Sequence, residues 1–279
     1  MIVGALELGG SHVSAASVDL AGERVAGVCR LPLDPRGTRS ELLAPILEAA
    51  RSITADVRRV GVAVPGPFDY AHGICTIRGV GKLEGLFGVD LRFELSCVLP
   101  RTDGPRIRFL NDAEAFLLGE AYAGAARGHA RAIGITLGTG LGSAFLADGE
   151  IVREGPGIPP EGNLHLLPFR GGQVEEVLSG RGIRTRFDGR TTVEQIAWLA
   201  DRGERRATEV FAAFGSDLAE FLAPPCRDFQ ASSIVVGGSI ARAWRHFGPM
   251  LSRSLTATVA VAERLDHAAL LGAALEASR

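Results

Sequence analysis

Two glycine-rich stretches carry residue types suited to holding an anion. One is Ala132-Ile-Gly-Ile-Thr-Leu-Gly-Thr-Gly-Leu-Gly-Ser-Ala-Phe-Leu-Ala-Asp148. Gly138, Thr139 and Gly140 let the backbone bend tightly and leave its N–H groups uncovered by bulky side chains, which suits a phosphate. The other, at the N-terminus, is Val3-Gly-Ala-Leu-Glu-Leu-Gly-Gly-Ser-His-Val-Ser-Ala-Ala-Ser-Val-Asp19. With Leu8 laid on Leu137, Gly9 meets Gly138, Ser14 meets Ser143, Ala15 meets Ala144 and Asp19 meets Asp148. Both copies then run into a Gly-Glu pair, Gly22-Glu23 and Gly149-Glu150. The repeat implies two homologous halves, each lending a loop to one phosphate chain. Chance similarity among small residues is the competing explanation of this feature alone.

The elements that would position these loops follow from periodicity. Ile133, Ile135 and Leu137 alternate into the second turn, and Phe145 and Leu146 resume the apolar pattern after it, so each stretch predicts strand, turn and strand. Residues 23–33 read as a third strand, and residues 40–52 as a helix with Leu42, Leu43, Ile46 and Leu47 on one face and Ser40 as its cap. A short strand over residues 60–64 stops at Pro65-Gly66-Pro67, a turn of the kind that borders ligand crevices in α/β sheets. Residues 73–95 read as a long irregular segment. A strand over residues 106–110 gives way to a helix over 113–126, with Asn111 or Asp112 as its N-cap. Later helices are expected from residue 173 to 179, over 192–199 and over 207–222. A strand then runs into Gly237-Gly238 and a helix from Ile240, and an alanine-rich helix over 270–277 closes the chain.

Bulk composition narrows the function classes. The 279 residues are 46% hydrophobic and 22% charged, a globular balance that supports one large domain or two of ordinary size. A net charge of −2 provides no general attraction for nucleic acid or an anionic membrane, so neither is an expected partner. Lysine occurs once, as Lys82, and arginine supplies the other basic side chains. Cys29, Cys75, Cys97 and Cys226 are scattered without C-x-x-C spacing, which argues against a structural zinc site and a disulfide framework. No leader pattern opens the chain, and no apolar run approaches the ~18–20 residues of a membrane span, so a cytoplasmic protein is expected.

Strand-strand-strand-helix-strand-helix occurring twice resembles the actin/hexokinase/Hsp70 superfamily, an α/β duplicated fold of two ribonuclease-H-like lobes around a nucleotide cleft. On that resemblance residues 1–112, with a C-terminal helix of about 265–279, form the smaller lobe and residues 113–264 the larger. The chain is further similar to the ROK family of repressors and sugar kinases. The matching stretches are Leu6-Glu-Leu-Gly-Gly-Ser11, Val62-Ala-Val-Pro-Gly-Pro67, Leu110-Asn-Asp-Ala-Glu114, Thr136-Leu-Gly-Thr-Gly-Leu-Gly142, Val174-Glu175 before Ser179-Gly180, Ile234-Val-Val-Gly-Gly238 and Leu271-Gly-Ala-Ala274.

The resemblance implies transfer of a phosphoryl group from ATP to a hydroxyl of a monosaccharide, with glucose and its 6-hydroxyl as the default; a similar cyclitol or an amino sugar is a close variant. Gly9, Gly10, Ser11 and His12 from one half, and Gly138, Thr139 and Gly140 from the other, would hold the phosphates. Gly237 and Gly238 would receive the adenosine, or serve packing alone. Glu7 would organise Mg2+ through water. Asp112 would be the general base, its alternative role being a plain helix cap. Gly66, Lys82, Asn111, Asp112, Glu161, His165 and Glu175 would meet the sugar. A homodimer is a family-level expectation.

Several positions depart from the family. Glu7 stands where an aspartate is common and His12 where a lysine is frequent. In Glu161-Gly-Asn-Leu-His165 the stretch from Glu to His is one residue longer than in the usual Gly-Glu-x-Gly-His. The family's zinc cysteines are missing from residues 166–174, Gln173 standing where the last would be. The chain therefore resembles a zinc-free branch in which Pro159, Pro160, Pro168 and ordinary packing hold the loop. The usual asparagine after Pro-Gly-Pro is replaced by Gly81-Lys82-Leu83. A sugar sensor without turnover, and polyphosphate as donor, are the other readings open at this stage. Repressors of the family carry a helix-turn-helix ahead of the first phosphate loop, and here that loop starts at residue 7, which favours an enzyme.

Overall fold

The computed structural model describes residues 1–53, 57–99 and 106–279. The chain forms two compact units, Met1–Ala123 with Asp266–Arg279, and Gly124–Leu265. In chain order the first unit carries β1 (Ile2–Leu8), β2 (His12–Asp19), β3 (Arg24–Pro32), α1 (Arg39–Arg51) and β4 (Arg59–Val64). A small pair β5 (Phe68–Asp69) and β6 (Ile74–Cys75) follows, then α2 (Leu91–Ser96), β7 (Arg106–Asn111) and α3 (Asp112–Ala123). The second unit carries β8 (Arg131–Leu137), β9 (Leu141–Ala147), β10 (Glu150–Val152), the pair β11 (Pro168–Phe169) and β12 (Gly172–Gln173), and α4 (Val174–Val177). It continues with α5 (Gly180–Phe187), α6 (Val193–Asp201), α7 (Arg205–Phe229), β13 (Ser233–Gly237), α8 (Trp244–Ser254) and β14 (Thr258–Val261). The chain ends on α9 (Ala268–Ser278), which returns to the first unit.

The two sheets have the same topology. Their orders are β3-β2-β1-β4-β7 and β10-β9-β8-β13-β14. In each, three antiparallel strands precede two parallel ones joined through helices. The duplication suggested by the two glycine stretches is thus present in the strand connectivity. Parallel neighbours require crossovers, and the long segments between β1 and β4 and between β8 and β13 provide them.

Each sheet buries one face against its own helices. Leu6, Leu8, Val13 and Ala15 of the first sheet join Leu42, Leu43 and Ile46 of α1 in one core. Ile133, Ile135 and Phe145 of the second join Phe211, Phe214, Leu218, Leu222 and Phe229 of α7. Phe145 and Phe229 meet edge to face with centroids 5.1 Å apart. The unit boundary falls after Ala123 rather than after residue 112, because α3 packs on α9. A methyl group on Gly119 of α3 would overlap the Ala268 carbonyl, so only glycine permits that approach. Leu270, Leu271, Ala273, Ala274 and Ala277 of α9 are all buried, as expected of a helix apolar on most sides.

Several element limits differ from the sequence reading for local reasons. The cap of α1 is Thr38, whose N–H and hydroxyl both donate to Glu41, and not Ser40. Residues 73–95 hold β6, a 3-10 turn at Glu84–Leu86 and the start of α2, capped by Asp90. The helix expected over 173–179 is a single turn, α4, broken at Leu178 so that Ser179 can cap a new helix, α5. Helix α7 runs to Phe229, past the expected end at Leu222, carrying Pro224 and Pro225 inside it. The apolar face Phe221, Leu222, Pro225, Cys226 and Phe229 continues in register, and its burial outweighs the missing N–H bonds. Among the described residues no helix is long and apolar enough to cross a membrane.

Candidate active site

In the first unit the chemistry gathers at the ends of β1, β4 and β7. Strand β7 ends at Asn111, whose side-chain oxygen accepts the N–H of Ala113 at 2.9 Å and that of Glu114 at 3.3 Å, so it caps α3. Its amide nitrogen donates to the Tyr70 hydroxyl at 3.2 Å, and that hydroxyl donates to the Val64 carbonyl at 3.2 Å. A Cβ on Gly66 would lie 3.4 Å from the same Tyr70 oxygen. Tyr70 therefore locks Asn111 beside the Pro65-Gly66-Pro67 turn. The sequence reading missed it; its one signal was position, three residues beyond that turn.

Asp112 follows at the first turn of α3, where Oδ1 also accepts the Ala113 N–H at 3.0 Å. Burial raises its carboxyl above the ordinary aspartate value, while the Lys82 ammonium and the N–H groups of Ala113 and Asp112 pull it back and Glu114 adds to the rise. Lys82 thus lies within electrostatic reach of Asp112. On β1, burial pushes the Glu7 carboxyl up to about 7; Asp112 adds to that rise, Arg30 opposes it and Asp266 adds again. Glu7 and Asp112 therefore repel when both are ionised, and a pair of that kind is a natural seat for a cation.

The first glycine turn closes by the Gly9 N–H donating to the His12 carbonyl at 2.8 Å. A Cβ on Gly9 would lie 3.1 Å from His12 Cε1, so the imidazole stands over the turn. Gly10 and Ser11 are exposed. His12 does not present a cationic ring: burial and the adjacent Arg30 guanidinium both lower its proton affinity. Its Nδ1 lies 3.2 Å from Arg30 Nη2, which donates, and 3.5 Å from Ser11 Oγ.

The second turn is one residue shorter. It closes by the Gly138 N–H donating to the Gly140 carbonyl at 3.0 Å, and Leu137 pairs with Leu141 where Leu8 pairs with Val13. The match of Ser14 with Ser143 in sequence is therefore offset in register: Ser14 pairs with Glu7 and Ser143 with Ile135. The Gly9 and Gly138 N–H groups serve the turns themselves; Gly10 and Ser11 are exposed in the first turn and Thr139 in the second.

Glu175, at the start of α4, is brought to this second turn, where Oε1 accepts the Leu141 N–H at 2.8 Å. The Gly180 N–H donates to the Gly138 carbonyl at 2.8 Å. Gly238, at φ +83°, backs the same turn, since a Cβ there would overlap the Leu137 backbone. Gly238 is therefore required by packing whatever ligand it meets.

Glu161 and His165 lie on an exposed loop, Glu161 in the left-handed region at φ +55°. Ser143 of β9, buried, holds this loop: its hydroxyl donates to the Gly162 carbonyl at 2.6 Å and accepts the Leu164 N–H at 2.8 Å. Ser143→Ala would leave both buried groups without a partner. The expected loss is about 1–3 kcal/mol, measured by denaturant unfolding. Among the described residues no hydrogen bond or ion pair joins Glu175 to Glu161 or His165; Glu175 is tied to the glycine turn, and Glu161 and His165 belong to the loop that Ser143 holds.

Residues 166–174 carry no cysteine, so the zinc of the resembling family has no thiol ligands there. What holds the hairpin β11–β12 is ionic and aromatic. Arg170 at its tip pairs with the buried Asp217 of α7, which also pairs with Arg186 of α5, and Arg170 meets Glu220 at 2.7 Å. Phe169 packs edge to face on Phe221 with centroids 5.5 Å apart. Among the described residues no group of three or more His, Cys, Asp or Glu is placed to hold a metal ion by itself. Glu7 fits Mg2+ in another way, as one of the few protein oxygens that this ion takes while keeping waters and substrate phosphates.

A sheet order of three antiparallel and two parallel strands occurring twice, with a glycine turn in each unit and a half-buried carboxyl at a strand end of the first, defines a class of phosphate-handling fold. The chain belongs to the ROK family, whose model matches residues 3–279. It is 27% identical to a glucokinase of Thermotoga maritima over 96% of this chain and 95% of that protein. It is 29% identical to an N-acetyl-D-glucosamine kinase of Pectobacterium atrosepticum over 74% of each. A ROK family glucokinase from Streptomyces griseus, solved in complex with glucose and AMPPNP, superposes with a TM-score of 0.81 at 23% identity, over 100% of this chain and 99% of that one. The fold is accordingly the actin/hexokinase-like duplicated α/β fold.

Proposed function

We propose that this chain is an ATP-dependent sugar kinase that phosphorylates a monosaccharide hydroxyl, with Asp112 as general base. The observation that carries the reading is the half-buried Asp112 carboxyl just past the end of β7, beside the Tyr70-locked Asn111 and in electrostatic reach of Lys82 and Glu7. Its raised proton affinity suits a group that must take a proton near neutrality. The sugar hydroxyl gives its proton to Asp112 while its oxygen attacks the γ-phosphorus; the bond from that phosphorus to the β–γ bridging oxygen breaks and ADP leaves. In the first unit Asn111 and Lys82 are the candidates for orienting a sugar; in the second unit, taken by itself, the candidates are Glu161, His165 and Glu175. Each unit's glycine turn is by itself a candidate phosphate donor, through Gly10 and Ser11 in the first and Thr139 and Gly140 in the second. Glu7 would hold Mg2+, and the ion would neutralise phosphate charge.

Family membership and the named activities of the relatives support a hexose or an N-acetylated hexosamine as substrate. Polyphosphate is a further donor to test. The experiment is ADP release from Mg-ATP by the purified chain across glucose, mannose, fructose, N-acetylglucosamine, N-acetylmannosamine and cyclitols. The expected result is turnover with at least one of them. Sugar binding without turnover across the whole panel would replace the kinase by a sensor.

A further inference from the structure

The first phosphate turn has no lysine or arginine of its own: His12 stands where a lysine is frequent, and burial and the neighbouring Arg30 guanidinium lower its proton affinity. A triphosphate tail with no cation beside that turn would be poorly matched. The structure supplies one from a neighbouring strand. Glu7 of β1 pairs with Ser14 of β2, and Ser14 pairs with Arg30 of β3, so the three side chains form one cross-strand row on one face of the sheet. At the edge of that row Arg30 is exposed. Its Nη2 donates to His12 Nδ1 at 3.2 Å, and His12 in turn stands over Gly9. Among the described residues no carboxylate lies within ion-pair distance of Arg30, although the chain is rich in arginine–carboxylate pairs elsewhere. A guanidinium has five N–H donors in a rigid fork, and one hydrogen bond to an imidazole leaves most of them available.

We propose that Arg30, held in place by His12, is the residue that binds the β- and γ-phosphates at the first glycine turn. His12 is then a positioning residue: as a neutral acceptor it aims the guanidinium across the turn. The arrangement replaces a flexible ammonium by a planar fork matched to two phosphate oxygens at once. The same guanidinium opposes the rise of the Glu7 carboxyl, which places it within electrostatic reach of the cation seat as well. Strand β3 thereby gains a function in this chain beyond closing the sheet.

This inference rests on the kinase reading for its ligand, and the test is built so that the two fail separately. Calorimetry would measure binding of Mg-AMPPNP and of AMP to the wild type, Arg30→Gln and Arg30→Lys. AMP lacks the two outer phosphates and acts as an internal control for folding and for the adenosine contacts. Arg30→Gln is expected to weaken Mg-AMPPNP by about tenfold or more and to leave AMP within about twofold, with Arg30→Lys recovering part of the loss. Equal weakening of both nucleotides, or unchanged binding of Mg-AMPPNP, would overturn the role of Arg30 while leaving the kinase reading intact. A wild type that binds neither nucleotide would overturn the kinase reading and this inference with it.

Discussion

Asp112→Asn is expected to lower kcat by about a hundredfold to ten-thousandfold and to leave the fold and nucleotide binding unchanged. The asparagine oxygen still accepts the Ala113 N–H that Asp112 Oδ1 holds at 3.0 Å, and Asn111 still caps α3 through its own two bonds. Only proton acceptance is removed. The wild-type rate should fall on the acid side of a pH profile with a midpoint above the ordinary aspartate range, because burial is the largest influence on that carboxyl. Steady-state kinetics, with calorimetry of AMPPNP on both proteins, checks both halves. A variant with at least a tenth of wild-type kcat would remove Asp112 from the role of base.

The second large effect concerns Glu7, and it runs in opposite directions for stability and for activity. Its carboxyl is raised from 4.5 to about 7, so the folded chain favours the protonated form. Stability from neutral Glu7 is fully present below about pH 4.5 and is lost as pH rises through about 7. By pH 8 the metal-free chain carries an ionised Glu7 near Asp112, a penalty of roughly 3 kcal/mol. Glu7→Gln removes that penalty. It should melt several degrees above the wild type at pH 8 without Mg2+, and lose this advantage near pH 4. With Mg-ATP the same variant should lose most activity, since a carboxylate that would hold the ion through water is gone. Thermal melts at the two pH values decide the stability claim; a Glu7→Gln variant less stable than wild type at pH 8 contradicts it.

Much of this organisation is legible in the residues because it is local. A glycine turn needs only its own few residues, and alternation or helical spacing declares the flanking elements, so both hairpins and the strand into Gly237-Gly238 could be read directly. The family stretches carried the order of elements over nearly the whole chain. What was hidden depends on groups far apart in sequence. The Asn111–Tyr70 bond, the Ser143 clamp on Gly162 and Leu164, and the Arg170–Asp217–Arg186 cluster each join different elements. Arg30 reads as an ordinary exposed edge residue until the β2–β3 register sets it beside His12. The one-residue difference between the glycine turns was masked by the apparent match of Ser14 with Ser143, and only pairing reveals that these serines face different partners. Helix α7 passes its two prolines because a buried aromatic face, set by tertiary packing, overrides the local stop signal.

The central claim is that a phosphoryl group leaves ATP for a sugar oxygen. Phosphorus NMR of the purified chain with Mg-ATP and the best sugar of the panel follows that transfer directly. The account predicts a sugar phosphomonoester signal that grows in step with ADP for the wild type and is absent for Asp112→Asn. ADP accompanied only by inorganic phosphate, or an unchanged ATP spectrum with every sugar that binds, would contradict it.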